Sequence, residues 1–204
     1  MKKGYLFIVL SISVVVIFYF FGNNNSSLKN FPPKNATIVA FGDSLVKGYG
    51  ATPGNDFVSI LGKKLNKPII NLGFSGNTSA EGLSRINDVL VRNSGTVIVL
   101  FGGNDYIRNI SMEETFGNLR QIISVLQSNG AFVILLGVQG GLFNDSYQAS
   151  FEKLSKEMGV LYVPNVLAGL FGDTRYMSEI VHPNDVGYAK IAEKVYSVIG
   201  KYYW

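Results

Sequence analysis

The stretch Ala36-Thr-Ile-Val-Ala-Phe-Gly-Asp-Ser-Leu45 joins a short apolar run to a glycine followed by two polar residues. Such a run predicts a buried strand, and the glycine suits a tight turn from a strand into a helix that would expose the side chain of Ser44. A serine nucleophile needs a base, and histidine titrates closest to neutral pH. The chain has one histidine, His182, in the stretch Ser178-Glu-Ile-Val-His-Pro-Asn184. These residues suggest a Ser44–His182 pair, whereas Ser44 as a simple helix cap is the alternative.

Short apolar segments alternate with amphipathic segments from Ala36 onward. This alternation predicts a three-layer α/β/α fold around a central parallel sheet of about five strands. The predicted strands span residues 37–41, 68–72, 96–101, 131–137 and 160–163. The predicted helices span residues 56–66, 79–91, 112–129, 146–158 and 185–196. Ligands of such sheets bind beyond the carboxyl ends of the strands, so Ser44, Gly76 and Asn104, which each follow a predicted strand, are expected at one rim.

Four sequence blocks occur in order along the chain: Gly42-Asp-Ser-Leu45, Asn71-Leu-Gly-Phe-Ser-Gly-Asn-Thr-Ser79, Phe101-Gly-Gly-Asn-Asp105 and Glu179-Ile-Val-His182. Their order resembles the SGNH hydrolases, the GDSL esterase/lipase family, over about residues 36 to 200, which implies the flavodoxin-like fold of that family. The resemblance implies a nucleophilic Ser44 and a general base His182. It also implies an oxyanion hole formed by the N–H groups of Ser44 and Gly76 and by the amide of Asn104.

The carboxylate that would orient His182 departs from the family pattern. An aspartate usually lies three residues before the histidine, whereas this chain has Glu179, one methylene longer. The resemblance therefore assigns the third catalytic role to Glu179, with a Ser–His dyad as the alternative. Asp185 is a weaker substitute, because Asn184-Asp185 is better placed to cap the last helix. Two acidic residues within the blocks are expected to accept structural hydrogen bonds: Asp43 and Asp105.

The layout is most similar to the branch of the family that contains bacterial arylesterases and the periplasmic thioesterase/lysophospholipase. It implies a serine esterase that hydrolyses short- to medium-chain acyl esters through an acyl-enzyme. A carbohydrate O-acetylesterase acting on cell-wall or other polysaccharides is the alternative, and a non-catalytic binding module with the same fold is a second. Loops 137–144 and 165–173 mix glycine with leucine and phenylalanine, which predicts a partly apolar acyl pocket.

Residues 1–22 contain an uncharged apolar run after Lys2 and Lys3. A helix needs about 20 such residues to cross a bilayer, so we expect an N-terminal transmembrane anchor. A cleaved signal peptide is the alternative, although no Ala-x-Ala site precedes Asn23. The lysines would stay in the cytoplasm, which places the catalytic domain on the periplasmic or extracellular side, or in the medium after cleavage. Residues 23–35 are predicted to be a linker and residues 36–204 the hydrolase domain.

Charge and composition exclude several function classes. The net charge of +4 is spread over single basic residues, whereas nucleic-acid-binding proteins usually cluster such charge. One histidine and no cysteine give no zinc-site spacing, and no Walker-type phosphate loop occurs. We therefore expect no metal and no cofactor. The expected partners are a small-molecule or lipid ester and, through the N-terminal helix, a membrane.

Overall fold

The computed structural model describes residues 28–138 and 145–203, which contain one five-stranded sheet. The strands follow the order β2-β1-β3-β4-β5, and every neighbouring pair is parallel. The strands are β1 (Ile38–Gly42), β2 (Ile69–Gly73), β3 (Thr96–Leu100), β4 (Phe132–Leu136) and β5 (Leu161–Val163). The predicted parallel sheet is therefore confirmed, with each strand within one or two residues of its expected bounds.

Helices cover both faces of this sheet. The helices are α1 (Ser44–Lys47), α2 (Phe57–Leu65), α3 (Ser79–Ser84), α4 (Asn87–Leu90), α5 (Gly103–Ile107), α6 (Met112–Ser128), α7 (Asp145–Met158) and α8 (Asp185–Ile199), and a 3₁₀ turn follows at Gly200–Tyr202. Ile38 and Ala40 of β1 pack in one core with residues of α2 and α8. Val39 and Phe41 pack in a second core with residues of α6 and α7. Because adjacent side chains of a strand point to opposite faces, β1 is buried on both sides and the fold has three layers.

The helix predicted over residues 79–91 is two short helices, α3 and α4. Between them the backbone adopts tighter turns, in which the N–H groups of Arg85 and Ile86 bond to carbonyls three residues earlier. Helix α3 begins with a complete capping box, which Thr78 and Glu81 form. Helices α1 and α5 were not predicted, because four or five residues are too few to show a helical hydrophobic period.

Residues 28–35 of the predicted linker contact the domain at the amino-terminal end of the sheet. The N–H of Lys29 donates to Gly159 O at 2.9 Å, and the amide of Asn30 donates to Ala131 O at 3.0 Å. Three predicted segments lie outside the described residues: the anchor at residues 1–22, residues 23–27 of the linker, and residues 139–144 of the pocket loop predicted at residues 137–144. Across residues 28–138 and 145–203, no helix is both long enough and apolar enough to cross a membrane.

Candidate active site

Ser44 lies at the tight turn between β1 and α1. The turn is capped by Asp43, whose carboxylate accepts the N–H of Leu45 at 2.9 Å. Because Asp43 is the cap, the hydroxyl of Ser44 is free for another partner. A side chain at Gly42 would place its Cβ 2.4 Å from Leu100 O, so the turn requires glycine there.

His182 contacts that hydroxyl. Its Nε2 lies 2.8 Å from Ser44 Oγ, and its Nδ1 contacts the Glu179 carboxylate on the other side of the ring. The N–H and the hydroxyl of Ser178 donate to His182 O at 2.9 and 3.0 Å, which fixes the backbone of the histidine. The His182 side chain is 16% exposed, and that of Glu179 is 49% exposed. The structure thus connects Ser44, His182 and Glu179 by one continuous series of side-chain contacts.

The other acidic residues near the blocks have local partners. Asp185, the substitute acid considered above, accepts hydrogen bonds from Thr52 and Asn55, and the cap of α8 is Asn184 alone. Asp105 is fully buried and accepts the N–H of Ser79 at 2.9 Å.

Asp43 is 2% exposed, so its carboxyl is buried. Burial raises the pKa of this carboxyl and the nearby charge of Asp105 adds to the rise, whereas the hydrogen bond from Leu45 lowers it; together these effects bring the pKa to about 7. As predicted, Asp43 accepts a backbone hydrogen bond that holds the turn. Its raised pKa was not predictable, because the sequence alone does not give its burial.

Three potential hydrogen-bond donors lie beside Ser44 Oγ along one cavity. Gly76 has a φ of +82°, a conformation that favours glycine. Among the described residues, neither the N–H of Ser44 nor that of Gly76 has a protein acceptor. The amide of Asn104 donates to Asn77 O at 3.0 Å, which orients the group and leaves its second N–H available. The predicted residues Ser44, Gly76 and Asn104 are therefore together at the rim.

Two arginines that lie outside the four sequence blocks connect these segments. Arg85 Nη2 donates to Gly42 O at 2.8 Å, and its Nε donates to Asn77 Oδ1 at 2.5 Å. Burial lowers the pKa of Arg85. Arg108 Nη2 donates to Gly76 O at 2.7 Å, which fixes the position of this carbonyl. Neither arginine belongs to a motif, so only the folded structure reveals these roles.

A cavity of about 400 Å³ opens beside Ser44 and His182. Much of its wall is apolar, formed by Leu45, Tyr49, Tyr106, Ile107, Val138, Leu167, Phe171 and Val181. The predicted pocket loop at residues 165–173 contributes two of these residues, Leu167 and Phe171. Within the part of the chain that the structure describes, no group of three His, Cys, Asp or Glu side chains could hold a metal ion.

Comparison with known proteins gives consistent matches. Residues 40–190 match the GDSL-like Lipase/Acylhydrolase family. The thioesterase 1/protease 1/lysophospholipase L1 of Escherichia coli (strain K12) is 29% identical over 157 residues, which are 72% of this chain and 76% of that protein. The arylesterase of Vibrio mimicus is 25% identical, over 78% of this chain and 85% of that protein. The crystal structure of AlinE4, an SGNH-hydrolase family esterase, is 31% identical with a TM-score of 0.65, covering 82% of this chain and 94% of that one.

Proposed function

The chain belongs to the GDSL-like lipase/acylhydrolase family and is a carboxylic ester hydrolase, and we propose that it hydrolyses short- to medium-chain acyl esters through an acyl-enzyme on Ser44. One observation carries this proposal: His182 Nε2 lies 2.8 Å from Ser44 Oγ at the mouth of a largely apolar cavity. A hydrogen bond of this length is what a general base needs in order to take the hydroxyl proton during attack.

In the proposed first step, Ser44 Oγ attacks the ester carbonyl carbon and its proton moves to His182 Nε2. The resulting imidazolium then protonates the leaving alcohol or thiol, and the acyl group remains on Ser44. Water, deprotonated by the same histidine, attacks the acyl-enzyme and releases the acid. The contact between Glu179 and Nδ1 supports Glu179 as the carboxylate that selects the histidine tautomer and stabilises the imidazolium.

The oxyanion that develops during attack would be bound by the N–H groups of Ser44 and Gly76 and by Asn104 Nδ2. The two backbone groups support this role because they belong to residues that line the cavity and have no acceptor among the described residues. The hydrogen bonds that fix Gly76 O and the Asn104 amide supply the rigidity that electrostatic stabilisation requires, since fixed donors need no reorganisation as the charge forms.

The apolar wall of the cavity favours an acyl chain over an acetyl group carried by a sugar. Ile107, Leu167 and Phe171 line it together with Val181, and each buried methylene of a bound chain contributes about 0.8 kcal/mol. A carbohydrate O-acetylesterase would instead need polar groups that recognise sugar hydroxyls. A non-catalytic binding module would not need the aligned contacts of His182 with Ser44 and Glu179.

The direct test is hydrolysis of p-nitrophenyl esters from acetate to decanoate by the wild-type protein and by Ser44→Ala. We expect turnover that rises from acetate to a chain of intermediate length and that disappears in Ser44→Ala. A sharp optimum at acetate, together with release of acetate from acetylated polysaccharide, would replace the acyl-ester proposal by the O-acetylesterase. A folded wild type that neither turns over nor reacts with an organophosphonate at Ser44 would favour the binding module.

We also propose that residues 1–22 anchor the enzyme in a membrane with its catalytic domain outside the cytoplasm. The proposal rests on the length of the apolar run and on Lys2 and Lys3 before it. A membrane-impermeant phosphonate should therefore label Ser44 in intact cells, with the protein in the membrane fraction. Labelled protein in the medium, lacking residues 1–22 by mass, would indicate cleavage and secretion.

A further inference from the structure

The segment of residues 49–55, which connects α1 to α2, packs against the loop that carries His182. We call it the 49–55 strap. It begins after Gly48, whose φ of +82° ends the helix of Ser44. The ring of Tyr49 then lies against the imidazole of His182, with 4.6 Å between ring centroids and 50° between ring planes. Although Tyr49 is 52% exposed, its ring is in contact with the imidazole.

The backbone of the strap is held close to this loop. The hydroxyl of the fully buried Tyr188 donates to Tyr49 O at 2.8 Å, so the backbone that carries the ring is bonded to α8. At Gly50, a Cβ would lie 2.4 Å from Ser178 Oγ. Ser178 is the residue whose hydroxyl and N–H bond to His182 O. The strap therefore lies close both to the ring of His182 and to Ser178, whose hydrogen bonds hold the backbone of the histidine.

Asp185 fastens the other end of the strap. Its carboxylate accepts the N–H of Thr52 at 2.7 Å, the hydroxyl of Thr52 at 2.7 Å and the amide of Asn55 at 3.1 Å. The hydrogen bonds from Thr52 lower the pKa of Asp185, so it is a charged acceptor at neutral pH. This carboxylate is only three residues after His182, yet all three of these bonds are with the strap.

We propose that Tyr49 is a positioning residue for His182, and that Asp185 keeps Tyr49 in place through the strap. The proposal rests on the function proposed above, in which His182 becomes an imidazolium during attack. The ring of Tyr49 restricts rotation of the imidazole away from Ser44, and its electron-rich face attracts the imidazolium. Both effects belong to the aromatic ring, so the phenolic hydroxyl is dispensable.

A small fluorophosphonate tests this role without involving the acyl pocket. Ser44 Oγ attacks phosphorus, the P–O bond forms as the P–F bond breaks, fluoride leaves, and the serine proton passes to His182. We expect Tyr49→Leu to slow this inactivation on the order of 5- to 10-fold, whereas Tyr49→Phe reacts at the wild-type rate. Phe31→Leu is the matched control, because Phe31 is also exposed, at 42%, and belongs to the segment that contacts the amino-terminal end of the sheet, away from the cavity.

A double-mutant cycle separates positioning from general stability. At a temperature well below that of unfolding, Asp185→Ala should slow inactivation by the phosphonate when it is the only substitution. In a protein that already carries Tyr49→Leu, it should cause no further slowing. In contrast, the losses of thermal stability from the two substitutions should add. Thr52→Val, which removes one of the three bonds, provides a milder variant if Asp185→Ala does not fold.

The proposal would be overturned by wild-type inactivation rates in Tyr49→Leu, or by rate losses from Tyr49→Leu and Asp185→Ala that multiply in the double variant. An equal loss in Tyr49→Phe would also overturn it, since the hydroxyl would then be required. A wild-type protein that the phosphonate does not label at Ser44 would instead refute the proposed function itself.

Discussion

Replacing Asp43 by asparagine should make the stability of the protein much less dependent on pH. The carboxyl is buried at the serine turn, and its pKa in the folded protein is about 7, compared with 3.8 for an exposed aspartate. Burial favours the protonated form, so the folded protein binds a proton that the unfolded chain releases. This contribution to stability is fully present below pH 3.8, falls as the pH rises, and is lost once the pH passes about 7.

The size of the effect follows from the difference between the two pKa values. Each pKa unit corresponds to about 1.4 kcal/mol, so ionisation of Asp43 costs the folded state about 4 kcal/mol at alkaline pH, of which about 3 kcal/mol develops between pH 4.5 and 8. Asp43→Asn cannot ionise, and its amide oxygen can still accept the N–H of Leu45. Any cost of burying the new amide N–H₂ group does not vary with pH.

Urea unfolding of the wild type and of Asp43→Asn, followed by circular dichroism at constant ionic strength, measures this difference. Relative to the variant, the wild type should lose about 3 kcal/mol of unfolding free energy from pH 4.5 to 8. Asp173 provides a control of opposite sign. Its bonds with Arg175 lower its pKa to about 2, so its contribution is present above pH 3.8 and is lost only as the pH falls below that value; Asp173→Asn should therefore leave the change between pH 4.5 and 8 as it is in the wild type. A difference between wild type and Asp43→Asn that stays constant across this range would refute the reasoning.

Three further predictions concern the reaction. Asn104→Ala should lower kcat for p-nitrophenyl butyrate by about 10²- to 10³-fold with little change in KM, since it removes a donor to the oxyanion; an unchanged kcat would exclude that role. Because Glu179 is 49% exposed, Glu179→Gln should lower kcat by less than the factor of about 10⁴ that is typical of replacing a buried triad aspartate. An unchanged kcat would indicate a Ser–His dyad. Ile107→Trp should move the chain-length optimum toward acetate without slowing phosphonate inactivation, and an unchanged profile would place the acyl chain elsewhere.

The sheet could be predicted from the sequence because its strands are short apolar runs bounded by polar segments and glycines. The run predicted at residues 96–101, for example, is the strand Thr96–Leu100. The break between α3 and α4 could not be predicted in the same way. The apolar pattern continues through Arg85 and Ile86, and only the local backbone hydrogen bonds reveal the tighter turns there.

The site could be predicted in part for a topological reason. Ser44, Gly76 and Asn104 follow β1, β2 and β3, which are adjacent parallel strands, so their carboxyl ends meet at one rim. The roles of Tyr49, Arg85 and Arg108 depend on contacts that the sequence does not signal. The Arg85–Gly42 and Arg108–Gly76 bonds join residues 43 and 32 positions apart, and the acceptors are carbonyls, which every residue carries.

The contacts between blocks give a physical reason why a glutamate at position 179 is compatible with the rest of the site. The first three blocks are bonded to one another through Arg85, Asn104 and Arg108, so a change in any of them would disturb the position of the oxyanion donors. Glu179 differs because it is half exposed and lies in the same short turn as His182. The N–H groups of Ser178 and Glu179 both point to His182 O, which makes the geometry of this turn largely local. An added methylene can therefore be accommodated by the turn itself, while Ser44, Gly76 and Asn104 keep their places.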